Sequence, residues 1–128
     1  MRILGIGVDI VENKRIKLLL NNKRFLSRTF SKNEIKISKN IANKTNFFAK
    51  RFSAKEAFAK SLGTGFRYDL NMKDIEILNN KEGRPYYNKS KKINDMVYRR
   101  FKIRNYNLFL SISDEKDYSI TFTILETK

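Results

Sequence analysis

The sequence predicts an α+β fold in which helices are followed by antiparallel strands. Three observations lead there. Residues 47–65 (FFAKRFSAKEAFAKSLGTG) form a long amphipathic run closed by glycine, which reads as a helix with a stop signal. Leu108, Leu110 and Ile112 alternate, as do Ile120, Phe122 and Ile124, on either side of the charged stretch 114–117 (DEKD); this reads as a C-terminal β-hairpin. Residues 3–11 (ILGIGVDIV) read as a strand that opens the chain.

In that first strand Leu4, Ile6, Val8 and Ile10 share one face, and Gly5, Gly7 and Asp9 share the other. Two positions without side chains beside a carboxylate allow a close approach to the backbone. Either a ligand approaches there, or another element packs there and Asp9 caps the strand end. Residues 12–21 read as a helix with Ile16, Leu19 and Leu20 inward, and residues 23–30 as a second short helix. Ser31 and Glu34 fit a capping box, so a third helix starts there. Residues 39–45 are polar and read as a loop. After the long helix, residues 74–78 (DIEIL) look like a strand, 79–83 (NNKEG) like a turn, and 85–87 like a further extended piece. Ser90 caps a helix bearing Ile93, Met96, Val97 and Phe101 at helical spacing. No repeat or linker interrupts the chain, so residues 1–128 are expected to form one domain.

Composition narrows the chemistry. The chain has no cysteine and no histidine, which excludes disulfides, thiolate nucleophiles and imidazole bases. A metal would have to be held by oxygen, favouring a hard ion such as magnesium. With 28 Lys and Arg against 13 Asp and Glu, the net charge is +15, suited to anionic partners; solvation alone is the competing role for any single lysine. No apolar run approaches the roughly 20 residues of a membrane span, and the first residues do not resemble a signal peptide. A soluble, cytoplasmic protein without a membrane partner is expected.

At about 100° per residue, Arg51 and Lys55 project from the middle of the long helix's apolar arc. Unpaired burial would cost several kcal/mol each. They must therefore snorkel to water, pair with carboxylates, or line a cavity that holds anions; the last is favoured because both lie centrally. Glu56 lies at the border of the arc, with Lys60 one turn further on the polar side. Gly63, Thr64 and Gly65 end the helix and can expose N–H groups to a phosphate. Asp9 and Glu56 are two carboxylates in apolar settings. A divalent ion could join them to a diphosphate, with Arg51, Lys55 and Lys60 neutralising the rest.

Residues 5–16 (GIGVDIVENKRI), 51–65 (RFSAKEAFAKSLGTG) and 83–87 (GRPYY) together resemble the short type of 4′-phosphopantetheinyl transferase, the holo-[acyl-carrier-protein] synthases. The resemblance spans nearly the whole chain, including the final hairpin with Tyr118. It implies an antiparallel sheet packed on a long central helix. It also implies transfer of phosphopantetheine from coenzyme A to a serine of apo acyl carrier protein, in fatty-acid biosynthesis. Asp9 and Glu56 would be magnesium ligands and, with Lys60 near the diphosphate, the catalytic set. Arg51, Lys55, Lys60, Gly63, Thr64 and Gly65 would bind the coenzyme. A homotrimer with active sites between subunits is implied, with Gly83 and Pro85 reaching the nucleotide from a neighbour. The glycine face of the first strand and the two central cations would then face the subunit cleft. Arg15 and Arg24 would dock the acidic carrier protein.

The chain departs from that family's pattern in four places. Many members have a histidine in the segment matching residues 111–114, which this chain lacks. Ser53 stands where alanine is common and Arg84 where lysine is common. Val11 stands where longer relatives carry another acid, so only two protein metal ligands are expected. Two readings from other classes compete: a small basic nucleic-acid-binding domain, for which no RRM, KH, zinc-finger or homeodomain signature is found, and a non-catalytic carrier-protein binder, against which the intact acid pair argues.

Overall fold

A computed structural model describes residues 1–65 and 70–128. The elements run β1 (Ile3–Glu12), α1 (Asn13–Leu19), α2 (Lys23–Thr29), α3 (Lys32–Ser38), α4 (Lys44–Leu62), β2 (Ile77–Asn79), β3 (Pro85–Tyr87), α5 (Lys91–Phe101), β4 (Tyr106–Asp114) and β5 (Tyr118–Thr127). The predicted class holds. β1, β5 and β4 form an antiparallel sheet in that order, and α4 packs across one face of it. β2 and β3 form a separate two-stranded hairpin. No helix among the described residues is long and apolar enough to cross a membrane.

Local signals set most of the boundaries. Both arms of the capping box form: Glu34 N donates to Ser31 Oγ at 3.1 Å, and Ser31 N donates to Glu34 Oε1 at 2.9 Å. Ser90 Oγ accepts from Ile93 N as the sequence predicts. The 19-residue α4 begins earlier than expected, because Asn43 Oδ1 accepts from Asn46 N. It ends at Gly63, whose φ of 77° is the left-handed conformation a glycine cap supplies. The expected strand over 74–78 is corrected: Met72–Asp74 make a turn of 3-10 helix, and pairing begins only at Ile77.

On the first strand the second alternative holds: another element packs against the glycine face. Gly5 and Gly7 face α4 so closely that a Cβ on either would lie 1.8 Å from the carbonyl oxygen of Ser61 or Ala57. The helix answers with small residues at every fourth position, Ser53, Ala57 and Ser61, all buried. Gly5, Gly7 and the two central cations of α4, Arg51 and Lys55, therefore lie inside the subunit, not in a cleft between subunits. β5 turns the same face inward, burying Ser119, Thr121, Thr123 and Leu125. The hydroxyls are paired: Thr123 with Tyr87 at 2.7 Å, Thr121 with Ser53, and Ser119 with Asn13 at 2.8 Å. Ile6, Val8 and Ile10 are left 58, 53 and 59 % exposed, beside Phe109, Ile120 and Phe122 on the same outer face. On β4 the alternating residues Leu108, Leu110 and Ile112 pack on the core.

Two apolar clusters flank α4. One joins Phe58 and Leu62 to Ile77, Tyr87, Ile93 and Val97. The other joins Phe47 and Phe48 to Val11, Ile16 and Phe30. The helix is enclosed on nearly every side, so the amphipathic character expected from the sequence is corrected: most of residues 47–62 are buried.

Replacing Gly7 by alanine is expected to lower the free energy of unfolding by about 3 kcal/mol or more, since rigid backbone must give way. A urea midpoint equal to that of the wild type would contradict the backbone contact.

Candidate active site

Asp9 follows Gly7 on the inward face of β1, and Glu56 precedes Ala57 on α4. The contact that forces Gly7 against Ala57 therefore brings these two acids toward one another. Burial pushes the Asp9 carboxyl up, and the hydrogen bond and charge of Lys60 and the charge of Arg15 act against it. Glu56 is also raised, first by burial and then by the negative charge of Asp9, while Lys60 and Arg15 oppose. Lys60 Nζ donates to Val8 O at 3.0 Å and to Asp9 Oδ1 at 3.3 Å. Glu56 makes no hydrogen bond or ion pair with any described residue.

This donor set fits a hard divalent cation. It consists of oxygen only, the two carboxylates disfavour each other's charge, and an ammonium already stands against one of them. No group of three or more acids gathers among the described residues. Two carboxylates, if they held such an ion, would leave coordination positions for water and phosphate oxygens.

The turn after Lys60 presents Gly63, Thr64 and Gly65, with positive φ at both glycines. Leu62 and Thr64, with Met96, Arg99 and Arg100 of α5, line a cavity of about 440 Å³. Arg100 Nε donates to Leu62 O at 2.9 Å, closing the end of α4 with a side chain the sequence reading missed. The only signal available was a basic last turn on α5. Gly83, with φ 83°, lies in the β2–β3 turn, and Pro85 begins β3 opposite Asn79. There Asn79 Nδ2 donates to Gly83 O at 2.8 Å, and Pro85 lines a small cleft with Arg84, Tyr86 and Leu108–Leu110. None of their hydrogen bonds reaches Asp9, Glu56 or Lys60 within the chain. Arg15 is exposed on α1 and its charge is felt at both acids. Arg24 is exposed on α2, where it lines a cleft of about 740 Å³ with Phe25, Arg28, Met72 and Lys73.

The assignment of Arg51 and Lys55 to the coenzyme is corrected. Lys55 is fully buried, and its Nζ donates to Glu34 Oε1 at 2.7 Å, Met72 O at 3.0 Å and Ile75 O at 2.5 Å. Those acceptors match the three N–H bonds of an ammonium, so nothing is left for a ligand. Arg51 is 5 % exposed; its Nη2 donates to Asn79 Oδ1 at 2.7 Å, and its guanidinium lies 3.8 Å over the Phe47 ring. The anion waiting for both is Glu34, whose second oxygen accepts from Ile77 N at 3.0 Å and lies 3.9 Å from Arg51 Nε. Burial lowers both cations' pKa values and the Glu34 charge opposes this. The sequence offered Glu34 only as a capping residue; its partners are 17 and 21 positions away and meet it through tertiary packing.

The model of the 4′-phosphopantetheinyl transferase superfamily matches residues 5–123, and the chain belongs to that family. Within it, the chain is 56 % identical over 128 residues to the holo-[acyl-carrier-protein] synthase of Pelagibacter ubique, all of both chains being covered. Its fold matches the crystal structure of the Neisseria meningitidis holo-[acyl-carrier-protein] synthase with TM-score 0.87 and 34 % identity, over 98 % of this chain and 99 % of that one. The Bacillus anthracis synthase, solved in complex with CoA (3′,5′-ADP), matches with TM-score 0.83 and 32 % identity over the full length of both.

Lys55→Met is expected to cost about 3–5 kcal/mol in chemical denaturation, because Glu34 stays buried without its cation. Adding Glu34→Gln should recover part of that loss. A single variant as stable as the wild type would contradict the buried pair.

Proposed function

We propose that this protein transfers the 4′-phosphopantetheine group of coenzyme A to a serine of apo acyl carrier protein, releasing adenosine 3′,5′-bisphosphate. The observation that carries the proposal is the half-buried Asp9–Glu56 pair with Lys60 beside it, in a chain of this family. The carrier serine oxygen bonds to the coenzyme phosphorus that bears pantetheine. The bond from that phosphorus to the bridging oxygen breaks, and adenosine bisphosphate leaves with the electron pair. The serine proton passes to the Glu56 carboxylate, directly or through one water. Lys60, half-exposed on a flexible stem, reaches the phosphates and offsets their charge. Asp9 and Glu56 would hold magnesium, which supplies Lewis-acid neutralisation of the diphosphate when bound. Backbone N–H groups of the turn at Gly63, Thr64 and Gly65 face the coenzyme.

Gly83 and Pro85 fit this scheme only if they serve a neighbouring subunit's site. A homotrimer is supported by the outer sheet face, where Ile6, Val8, Ile10, Phe109, Ile120 and Phe122 form an apolar surface that needs cover. Arg15 and Arg24 then receive the acidic carrier protein, steered by the +15 charge. The setting is cytoplasmic fatty-acid biosynthesis.

Incubation with apo carrier, coenzyme A and magnesium, followed by mass spectrometry, should show the carrier gaining phosphopantetheine. Asp9→Ala and Glu56→Ala should each slow this by roughly 10²-fold or more while leaving the fold intact. Near-normal turnover in either folded variant would overturn the assignment. In sedimentation equilibrium, Phe122→Asp should turn a trimer into smaller species; a wild type that sediments as a monomer would overturn the trimer.

A further inference from the structure

Lys60 stands where a metal ion's charge would be needed. Its Nζ bridges Val8 O and Asp9 Oδ1, while its side chain is 54 % exposed and that of Asp9 only 15 %. Among the described residues, the charged groups acting on the two acids are Lys60 and Arg15, besides the acids themselves. Among these, two carboxylates thus face two cations, and their charges balance without any metal. A divalent ion entering at Asp9 would meet the ammonium at close range, and like charges at such distances repel strongly outside bulk water. Lys60 has room to leave, because its stem runs through solvent and an exposed ion pair of this kind is weak.

We propose that Lys60 is the resident counter-ion of the metal-free protein. A divalent cation displaces it from Asp9, and the released ammonium becomes the group that meets an incoming diphosphate. The inference rests on Asp9 and Glu56 being the metal site. It assigns to Lys60 two opposite effects: it opposes the ion alone and favours the ion together with a diphosphate. Metal and coenzyme should therefore strengthen each other's binding, since the phosphates give the expelled ammonium a new partner.

The test is Mn²⁺ binding to the purified full chain, read from the electron paramagnetic resonance signal of the free ion. Without coenzyme, Lys60→Met should bind Mn²⁺ roughly two- to five-fold more tightly than the wild type, the span expected for loss of an exposed ion pair. Lys60→Arg, which keeps a cation in place, should stay close to the wild type. Lys91→Met removes the same charge from a lysine paired with Asp95 and should change nothing. Coenzyme A should tighten Mn²⁺ binding more in the wild type than in Lys60→Met. Lys60→Gln replaces the methionine variant if circular dichroism shows the latter unfolded. Equal or weaker Mn²⁺ binding by a folded Lys60→Met protein would overturn the counter-ion role alone. Failure of the wild type to bind Mn²⁺, with or without coenzyme, would overturn the metal site and this inference with it.

Discussion

The contact between β1 and α4 sets the terms for everything else. Strand and helix meet backbone to backbone, with room for no Cβ at Gly5 or Gly7. The residues on either side of that contact are the ones with chemistry. Glu56 is next to Ala57, Lys60 is next to Ser61, and Asp9 is the next inward position after Gly7. Bringing the two backbones this close is what holds two carboxylates near one another in a half-buried setting. It also fixes the sheet's orientation. Threonine, serine and glycine fit beneath the helix, so the larger apolar side chains of β1 and β5 are turned outward.

Two clusters of like composition then take different roles because water reaches one and not the other. Glu34, Lys55 and Arg51 are buried, and nearly every polar atom among them has a partner; Arg51 Nε is the exception among the described residues. Such a network is costly to break at one point, and the three acceptors around Lys55 leave its ammonium no bond for a ligand. Through Met72 O, Ile75 O and Ile77 N it pins the segment leading into β2 against α3 and α4. Asp9, Glu56 and Lys60 are partly exposed and under-partnered, with Glu56 making no bond to a described residue. Unmet bonding capacity near solvent is what a ligand can use.

Much of this was legible in the sequence wherever the signal was local. The capping box at Ser31, the glycine stop after α4, the C-terminal hairpin and the Ser90 cap all depend on residues a few positions apart. The two acids stood out because each carboxylate interrupts an apolar stretch. Sidedness was not legible: a period of two on β1 and β5 gives two faces but not which one is covered. The usual preference for burying the apolar face was overridden by the steric demand of the close helix contact. The partner of Lys55 and Arg51 was hidden for another reason. Glu34 already had a sufficient local role as a cap, and the strand end at Ile77 was placed too early along the chain. Positions 66–69, which follow the Gly65 turn, lie outside the described residues.

The central claim is that this strand–helix contact builds a two-carboxylate metal site for a diphosphate. Crystals grown with Mn²⁺ and coenzyme A, measured at the manganese absorption edge, test it most directly. The expected result is an anomalous peak within coordination distance of both the Asp9 and Glu56 carboxylates, with phosphate oxygens completing the shell. A manganese peak elsewhere, with coenzyme bound and the two carboxylates free of metal, would contradict it.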